Sequence, residues 1–262
     1  MRGRILVVAG SDSGGGAGIE ADIKTATALG AYATTAITAL TAQNTQGIAR
    51  VTPVSAEFVA QVMAAVLRDI GTDAVKTGML VDTATVTAVA DTIEQLAPDV
   101  PLIVDPVMVS SSGTRLLSED AIETLKRRLI ARAAVVTPNI PEAEILLGRR
   151  IDDVGDAAKA LRELGPRVVV ITGGHGAGPT VRDVIADDAG ITALEASRVD
   201  TTSTHGTGCT FASAVAAGVA QGMGARAAIA RAHRFVQQAL RTAPGFGHGR
   251  GPLNHAHTIE DR

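Results

Sequence analysis

The sequence predicts an α/β fold: a central, mostly parallel sheet flanked by helices, with an antiparallel edge hairpin near 180–199. Three observations carry it. Short apolar, β-branched runs alternate with longer segments of helical period, the pattern of strands buried on both faces between covering helices. Apolar residues are 46% of the 262, enough to fill one domain's core. Aromatic residues are only 2%, so that core is packed from Ala, Val, Leu and Ile.

Strands are expected at Arg4–Ala9, Ala33–Leu40, Asp73–Lys76, Pro101–Val104, Ala134–Val136 and Arg167–Ile171. Between them the helical period marks Gly18–Leu29, Ser55–Ile70, Asp82–Leu96, Ser118–Ala131, Pro141–Leu147 and Asp153–Leu164. Start signals support three of these: Ser55 before Glu57, Ser118 before Glu119 and Asp120, and Pro141 as a first helical residue. Thr180–Asp187 and Ile191–Val199, joined by Asp187-Asp188-Ala189-Gly190, read as the hairpin. Two Ala-rich helices, Cys209–Gln221 and Ala225–Leu240, precede a glycine-rich tail, Gly245–Gly251. No internal repeat or long linker divides the chain, so residues 1–262 read as one domain.

Charge excludes some classes of partner. With 24 Lys+Arg against 27 Asp+Glu, the chain has no basic excess to neutralise a nucleic-acid backbone or an anionic membrane surface. One cysteine, Cys209, excludes an intrachain disulfide and a Cys-rich zinc module, in keeping with a reducing compartment. No apolar run is long enough for a signal segment or a membrane span, so a soluble cytoplasmic protein is expected.

In such a sheet, ligands bind where loops leave the carboxyl ends of the strands. Six loops there carry glycine and polar residues: Gly10–Gly18, Thr41–Gly47, Thr77–Met79, Asp105–Gly113, Thr137–Asn139 and Thr172–Gly178. The first fits a relaxed dinucleotide fingerprint at Gly16-x-Gly18-x-x-Ala21, but the second strand, Ala33–Leu40, lacks the acidic residue that would hold a ribose. No Gly-Lys dipeptide occurs, which excludes a Walker-type loop. A tight turn without a ligand is the plain alternative.

Thr204-His205-Gly206-Thr207-Gly208-Cys209-Thr210 opening an Ala/Val-rich helix is sharper. Small residues at a helix start leave backbone N–H groups close together and unpaired, a site for an oxyanion or phosphate. Cys209 falls in the first turn, where that field favours a thiolate; the plain alternative is a small buried apolar residue. Asn139 and Glu142 fit either a helix cap with a first-turn acid or a water-mediated Mg²⁺ site. Asp105, between Val104 and Pro106, is an acid at a strand end that needs a partner or a role. His175, His205, His255 and His257 lack the spacing of a compact metal site, and no zinc is assigned.

Taken in order, these segments resemble the ribokinase-like kinases, and closely the hydroxymethylpyrimidine/phosphomethylpyrimidine kinases of thiamine synthesis. The resemblance runs from Val7-Val8-Ala9-Gly10-Ser11-Asp12-Ser13-Gly14-Gly15-Gly16-Ala17-Gly18-Ile19 through Asp22-Ile23-Lys24-Thr25, Gln43-Asn44-Thr45 and Lys76-Thr77-Gly78-Met79-Leu80. It continues in Asp105-Pro106-Val107-Met108, Thr137-Pro138-Asn139-x-x-Glu142, Gly173-Gly174-His175, the Gly206–Thr210 run and Gly247-His248-Gly249-x-Gly251-Pro252. It implies use of ATP and Mg²⁺ to phosphorylate 4-amino-5-hydroxymethyl-2-methylpyrimidine and then its monophosphate. It also implies Gly10, Asp22 and Gln43 at the pyrimidine, with Met79 and Val107 against its faces. A Gln amide offers donor and acceptor together, matching a ring nitrogen beside an exocyclic amine. Gly206, Thr207, Gly208 and Cys209 would form the anion hole. Asp105, Asn139, Thr172 and Gly174 would serve the nucleotide, and Glu142 the metal. Related enzymes are commonly homodimers, which sets that expectation here.

Cys209 stands where sugar kinases of the superfamily carry an aspartate base; an aspartate would repel the phosphate acceptor of the second step, whereas a neutral or weakly charged thiol tolerates both acceptors. The sequence departs from many relatives at Thr172, where they have a lysine. The alternatives are a pyridoxal kinase of the same superfamily and a non-catalytic pyrimidine-binding module. Gly173–Gly178 and Val109–Gly113 are the expected lid segments.

Overall fold

The computed structural model describes residues 1–110, 113, 115–176 and 178–259. The strands are β1 (Arg4–Asp12), β2 (Tyr32–Asn44), β3 (Gly47–Pro53), β4 (Ala74–Thr77), β5 (Leu102–Val104), β6 (Val135–Val136), β7 (Val168–Ile171), β8 (Thr180–Asp187) and β9 (Gly190–Ser197). They form one sheet in the order β3-β2-β1-β4-β5-β6-β7-β8-β9. β2-β1-β4-β5-β6-β7 run parallel, while β3, β8 and β9 pair antiparallel at the two ends. The helices are α1 (Gly18–Ala28), α2 (Ala56–Asp69), α3 (Thr83–Leu96), α4 (Ala121–Arg128), α5 (Ile140–Leu147), α6 (Val154–Arg162), α7 (Thr207–Ala220) and α8 (Ala225–Arg241).

Alternation along the strands builds a core on each side of the sheet. Leu6, Val8, Val75 and Val104 pack with Val59, Met63, Val89, Leu125, Leu146 and Leu161 of α2–α6. Ile5, Val7, Ala74 and Ile103 pack with Ile19, Phe211, Val215, Ile229 and Phe235 of α1, α7 and α8. The chain steps from β1 to β2 on one side and returns to β4 on the other, leaving a crevice at the carboxyl ends of β1 and β4.

Three expectations change. Thr41–Gly47 is not a free loop: β2 continues to Asn44, and Gly47–Pro53 returns beside it, so the sheet has an antiparallel strand at both ends. Both faces of β3 are largely exposed, so no buried alternation marks it in the sequence. The segment from Ser118 becomes helical only at Ala121, after a turn in which the Ala121 N–H reaches the Ser118 carbonyl (3.2 Å), and a 3₁₀ turn at Ile130–Arg132 follows α4. α7 starts at Thr207, two residues before the expected Cys209. The two expected lid segments include residues 111, 112 and 177 and lie partly outside the described residues. No helix among the described residues is long and apolar enough to cross a membrane.

Candidate active site

Asp12, at the end of β1, organises the first glycine loop. Its carboxylate accepts the N–H groups of Gly14 (2.8 Å), Gly16 (3.0 Å) and Ala17 (2.9 Å) and faces His205 Nε2 at 2.8 Å. Burial resists that charge, but His205 and the amides of Ala17 and Gly14 outweigh it and hold the carboxyl below its ordinary range. The backbone is packed tightly enough that only glycine fits at two points. A Cβ on Gly18 (φ +55°) would strike the Gly10 carbonyl, and one on Gly206 (φ +82°) the Gly16 carbonyl. The first loop and the start of α7 are thus in contact.

Gln43 reaches the same place from β2. Its backbone is tied to Ser13, whose hydroxyl donates to the Gln43 carbonyl (2.7 Å) and accepts from its N–H (2.8 Å). Its side-chain amide lies 3.1 Å from His205 Nε2. The tail braces this corner: the Arg250 N–H donates to the Thr45 carbonyl (2.8 Å) and the His205 N–H to that of Gly251 (3.1 Å). Gly10 is buried under Met79, whose sulfur would stand 3.1 Å from a Cβ added there. Val107 is half-buried in the segment after β5.

Below lies a buried charged cluster. Lys76 of β4 places Nζ 3.0 and 3.1 Å from the two oxygens of Asp22 on α1, and 3.9 Å from Asp105 Oδ2 at the end of β5. Ser213 of α7 donates to Asp22 at 2.6 Å. Burial works against the ammonium, but Asp22, Cys209 and Asp105 outweigh it and hold Lys76 above its ordinary value. One ammonium shared between two carboxyls leaves both undercompensated, and burial pushes Asp22 and Asp105 up. Burial, with Asp105 adding repulsion, also pushes Glu142 up.

Asp22, expected at the pyrimidine, lies beneath the rim: it has no exposed surface, and its oxygens bond Lys76 and Ser213. At Cys209 the helix field and the surroundings oppose each other. Burial drives the thiol far above its ordinary range, Asp105 and Asp22 add to that, and Lys76 opposes them without prevailing. At the start of α7, Thr207 spends its hydroxyl (2.8 Å) and, more weakly, its N–H (3.4 Å) on the Thr204 carbonyl, so of the expected cradle it is the member least available to an anion.

Asn139 and Glu142 form a capping box at the start of α5: the Glu142 N–H donates to Asn139 Oδ1 (2.9 Å) and the Asn139 N–H to Glu142 Oε2 (3.0 Å). The helix begins at Ile140, with Pro141 second. Thr172 pairs with Asn139 across β6 and β7, its N–H donating to the Pro138 carbonyl at 2.9 Å. Gly174 is exposed in a 3₁₀ turn, Gly173–His175. Arg198 brings a guanidinium to this loop, donating to the carbonyls of Gly174 (3.0 Å), Gly176 (2.6 Å) and Gly178 (2.8 Å).

Sequence reasoning assigned no role to Asp12, Lys76, His205 or Ser213. Lys76 carried a legible signal, a lysine in an otherwise apolar buried strand. His205 and Asp12 sat inside motifs whose glycines drew the attention.

Comparison with known proteins decides what this rim belongs to. Residues 12–254 match the family described as phosphomethylpyrimidine kinase. The chain belongs to that family. It is 47% identical over 99% of its length to the thiamine biosynthesis bifunctional protein ThiED of Geobacter sulfurreducens, of which it spans 54%. It is 43% identical to the hydroxymethylpyrimidine/phosphomethylpyrimidine kinase of Rhizobium meliloti, covering 96% of each chain. An ADP complex of Bacillus subtilis pyridoxal kinase superposes with a TM-score of 0.90 at 34% identity over the whole of both chains. The fold is thus ribokinase-like and the chain is a phosphotransferase, a pyrimidine kinase of thiamine biosynthesis.

Proposed function

We propose that the chain transfers a phosphoryl group from ATP to the hydroxymethyl group of 4-amino-5-hydroxymethyl-2-methylpyrimidine, and a second to the resulting monophosphate. One observation carries this: Gln43, suited to an aminopyrimidine edge, is joined through His205 to the anion-binding turn Gly206–Cys209. A flat heterocycle at Gln43, with Gly10, Met79 and Val107 around it, has its reacting group beside the α7 amides.

The nucleotide's phosphates belong between that turn and the segments at Asn139 and Thr172–Gly174. Two buried carboxyls, Asp22 and Asp105, share one buried ammonium, Lys76, and the buried Glu142 has Asp105 as its charged neighbour, so the region lacks positive charge. Asp105 Oδ2 is also buried without a hydrogen-bond partner. Hard oxygen donors in a charge deficit fit Mg²⁺. Glu142 and Asp105 would hold such a cation together with water and phosphate oxygens. Such an ion neutralises charge on the transferring phosphoryl group.

Gly208 and Cys209 amides stabilise that charge from the other side. The neutral Cys209 thiol tolerates both an alcohol and a phosphate oxyanion as acceptor, whereas a carboxylate there would repel the second. Mass analysis after incubation with the aminopyrimidine alcohol and Mg-ATP tests the proposal: monophosphate and diphosphate are expected, and absence of both overturns it. Cys209→Asp should lower second-step turnover relative to the first; an unchanged ratio refutes the role given to the thiol.

The likeness to pyridoxal kinase supports a second reading, phosphorylation of pyridoxal at the same site. The monophosphate separates the two, because only a pyrimidine kinase of this kind phosphorylates it again. A homodimer and a cytoplasmic location complete the proposal, the former read by light scattering.

A further inference from the structure

We infer that Asp12 and His205 are positioning residues that lock the side-chain amide of Gln43 in one orientation, making it a selective contact for a ring nitrogen beside an exocyclic amine. The inference rests on the proposed function and names what reads the substrate's edge.

The protons can be placed one by one. Asp12 accepts three backbone N–H groups, from Gly14, Gly16 and Ala17, and its carboxyl is held ionised. It has no proton to give, so the proton in its 2.8 Å contact with His205 belongs to Nε2. As placed, the Gln43 side chain turns Nε2 toward that same nitrogen at 3.1 Å and Oε1 toward the Thr41 hydroxyl at 3.3 Å. An amide NH₂ facing the Nε2 proton sets donor against donor, so the proton count assigns the two amide atoms the other way round, the carbonyl oxygen accepting a share of the Nε2 proton. The NH₂ then takes the position 3.3 Å from Thr41 Oγ1. That hydroxyl spends its own proton on the Ser11 carbonyl, 2.9 Å away, and has a lone pair ready to accept. With carbonyl to His205 and NH₂ to Thr41, every donor meets an acceptor.

His205 has little freedom to give way. Its N–H is bonded to Gly251 (3.1 Å), and its ring is packed so closely on Gly16 that a Cβ there would lie 2.7 Å from Cδ2. An unlocked glutamine flips to suit its ligand at little cost. Here the half-buried amide offers one N–H and one carbonyl lone pair in fixed order, so the ligand must present an acceptor and a donor in the matching order.

The test compares kcat/KM for the aminopyrimidine alcohol with that for its analogue lacking the exocyclic amine. The wild type is expected to favour the amine by about tenfold to a hundredfold. His205→Asn, too short to reach Asp12 and Gln43 as the ring does, should bring the ratio close to one, mainly through a raised KM for the amine. His205→Gln, whose Nε2 comes near the ring Nε2 with two N–H groups, should restore much of it. A purely structural role for His205 would lower both substrates alike and leave the ratio unchanged, which overturns the inference. If the His205 variants do not fold, Thr41→Val removes the other partner of the amide while keeping shape, and an unchanged ratio there overturns it equally. Wild-type protein that phosphorylates neither alcohol defeats the proposed function and this inference together; a selective wild type with insensitive variants defeats the inference alone.

Discussion

On the side covered by α2–α6, the strands present Leu6, Val8, Val75 and Val104 to Val59, Met63, Val89 and Leu146, an apolar interior. On the side covered by α1, α7 and α8, the same strands add to Ile5, Val7 and Ile103 a buried lysine, Lys76, and the helices return Asp22, Ser213, His233 and Gln237. All six histidines lie after residue 174, none of them in α2–α6. One side holds the sheet together mainly by apolar volume, with Glu142 of α5 as its buried carboxyl. The other carries a bonded charge cluster, and the site stands at its rim. The difference shows that the paired polar groups beneath the rim are concentrated in one layer, where Asp22, Lys76 and Ser213 bond to one another.

The sharpest way to break this contrast is Lys76→Met. It leaves Asp22 and Asp105 buried without their shared cation, and a loss of about 3–5 kcal/mol is expected in urea unfolding. A loss under about 1 kcal/mol would mean that the cluster is not a structural unit. On the opposite side, Met63→Ala removes a fully buried side chain and should cost about 2–5 kcal/mol. KM for either substrate should stay the same; a shifted KM would show that the apolar layer reports on the site after all.

His255 sharpens the contrast through pH. Burial, with Lys24 and His257 adding to it, lowers its pKa to about 4. Between about 6.5 and about 4 the unfolded chain takes up a proton that the folded one refuses, so stability falls as pH falls. The loss amounts to something on the order of 3 kcal/mol at pH 4. His255→Gln should flatten that slope in unfolding measured from pH 7 to 4. The smallest effect is expected at the α2 cap, where Ser55 accepts the Phe58 N–H at 3.3 Å: Ser55→Ala should cost about 1 kcal/mol and leave activity unchanged.

Most of the fold was legible because its signals are local. Runs such as Ile5–Val8 and Val168–Ile171 alternate with helices whose caps, Ser55, Asp153 and Asn139, are written in the residues themselves. The β8–β9 hairpin was legible for the same reason. β3 was not, since an exposed edge strand needs no apolar pattern and is defined by its partner β2. Within the site, Gly206 and Gly208 were readable from their spacing before a helix. The balance of effects on the thiol was not: the helix start argues for a thiolate, the double acceptor for a neutral thiol, and burial beside Asp105 favours the second.

By itself the sequence determined the alternating layers, the glycine turns and the identity of the groups around the rim, because helix period, strand period and turn chemistry act over a few residues. Only the tertiary structure decided that Asp22 pairs with Lys76 in the buried layer, and that Asp12, His205 and Gln43 meet. Those partners are 54 residues apart for Asp22 and Lys76, and 193 and 162 for the two contacts of His205. Charge and proton placement depend on what lies within a few ångströms, and nothing short of the packed chain specifies that.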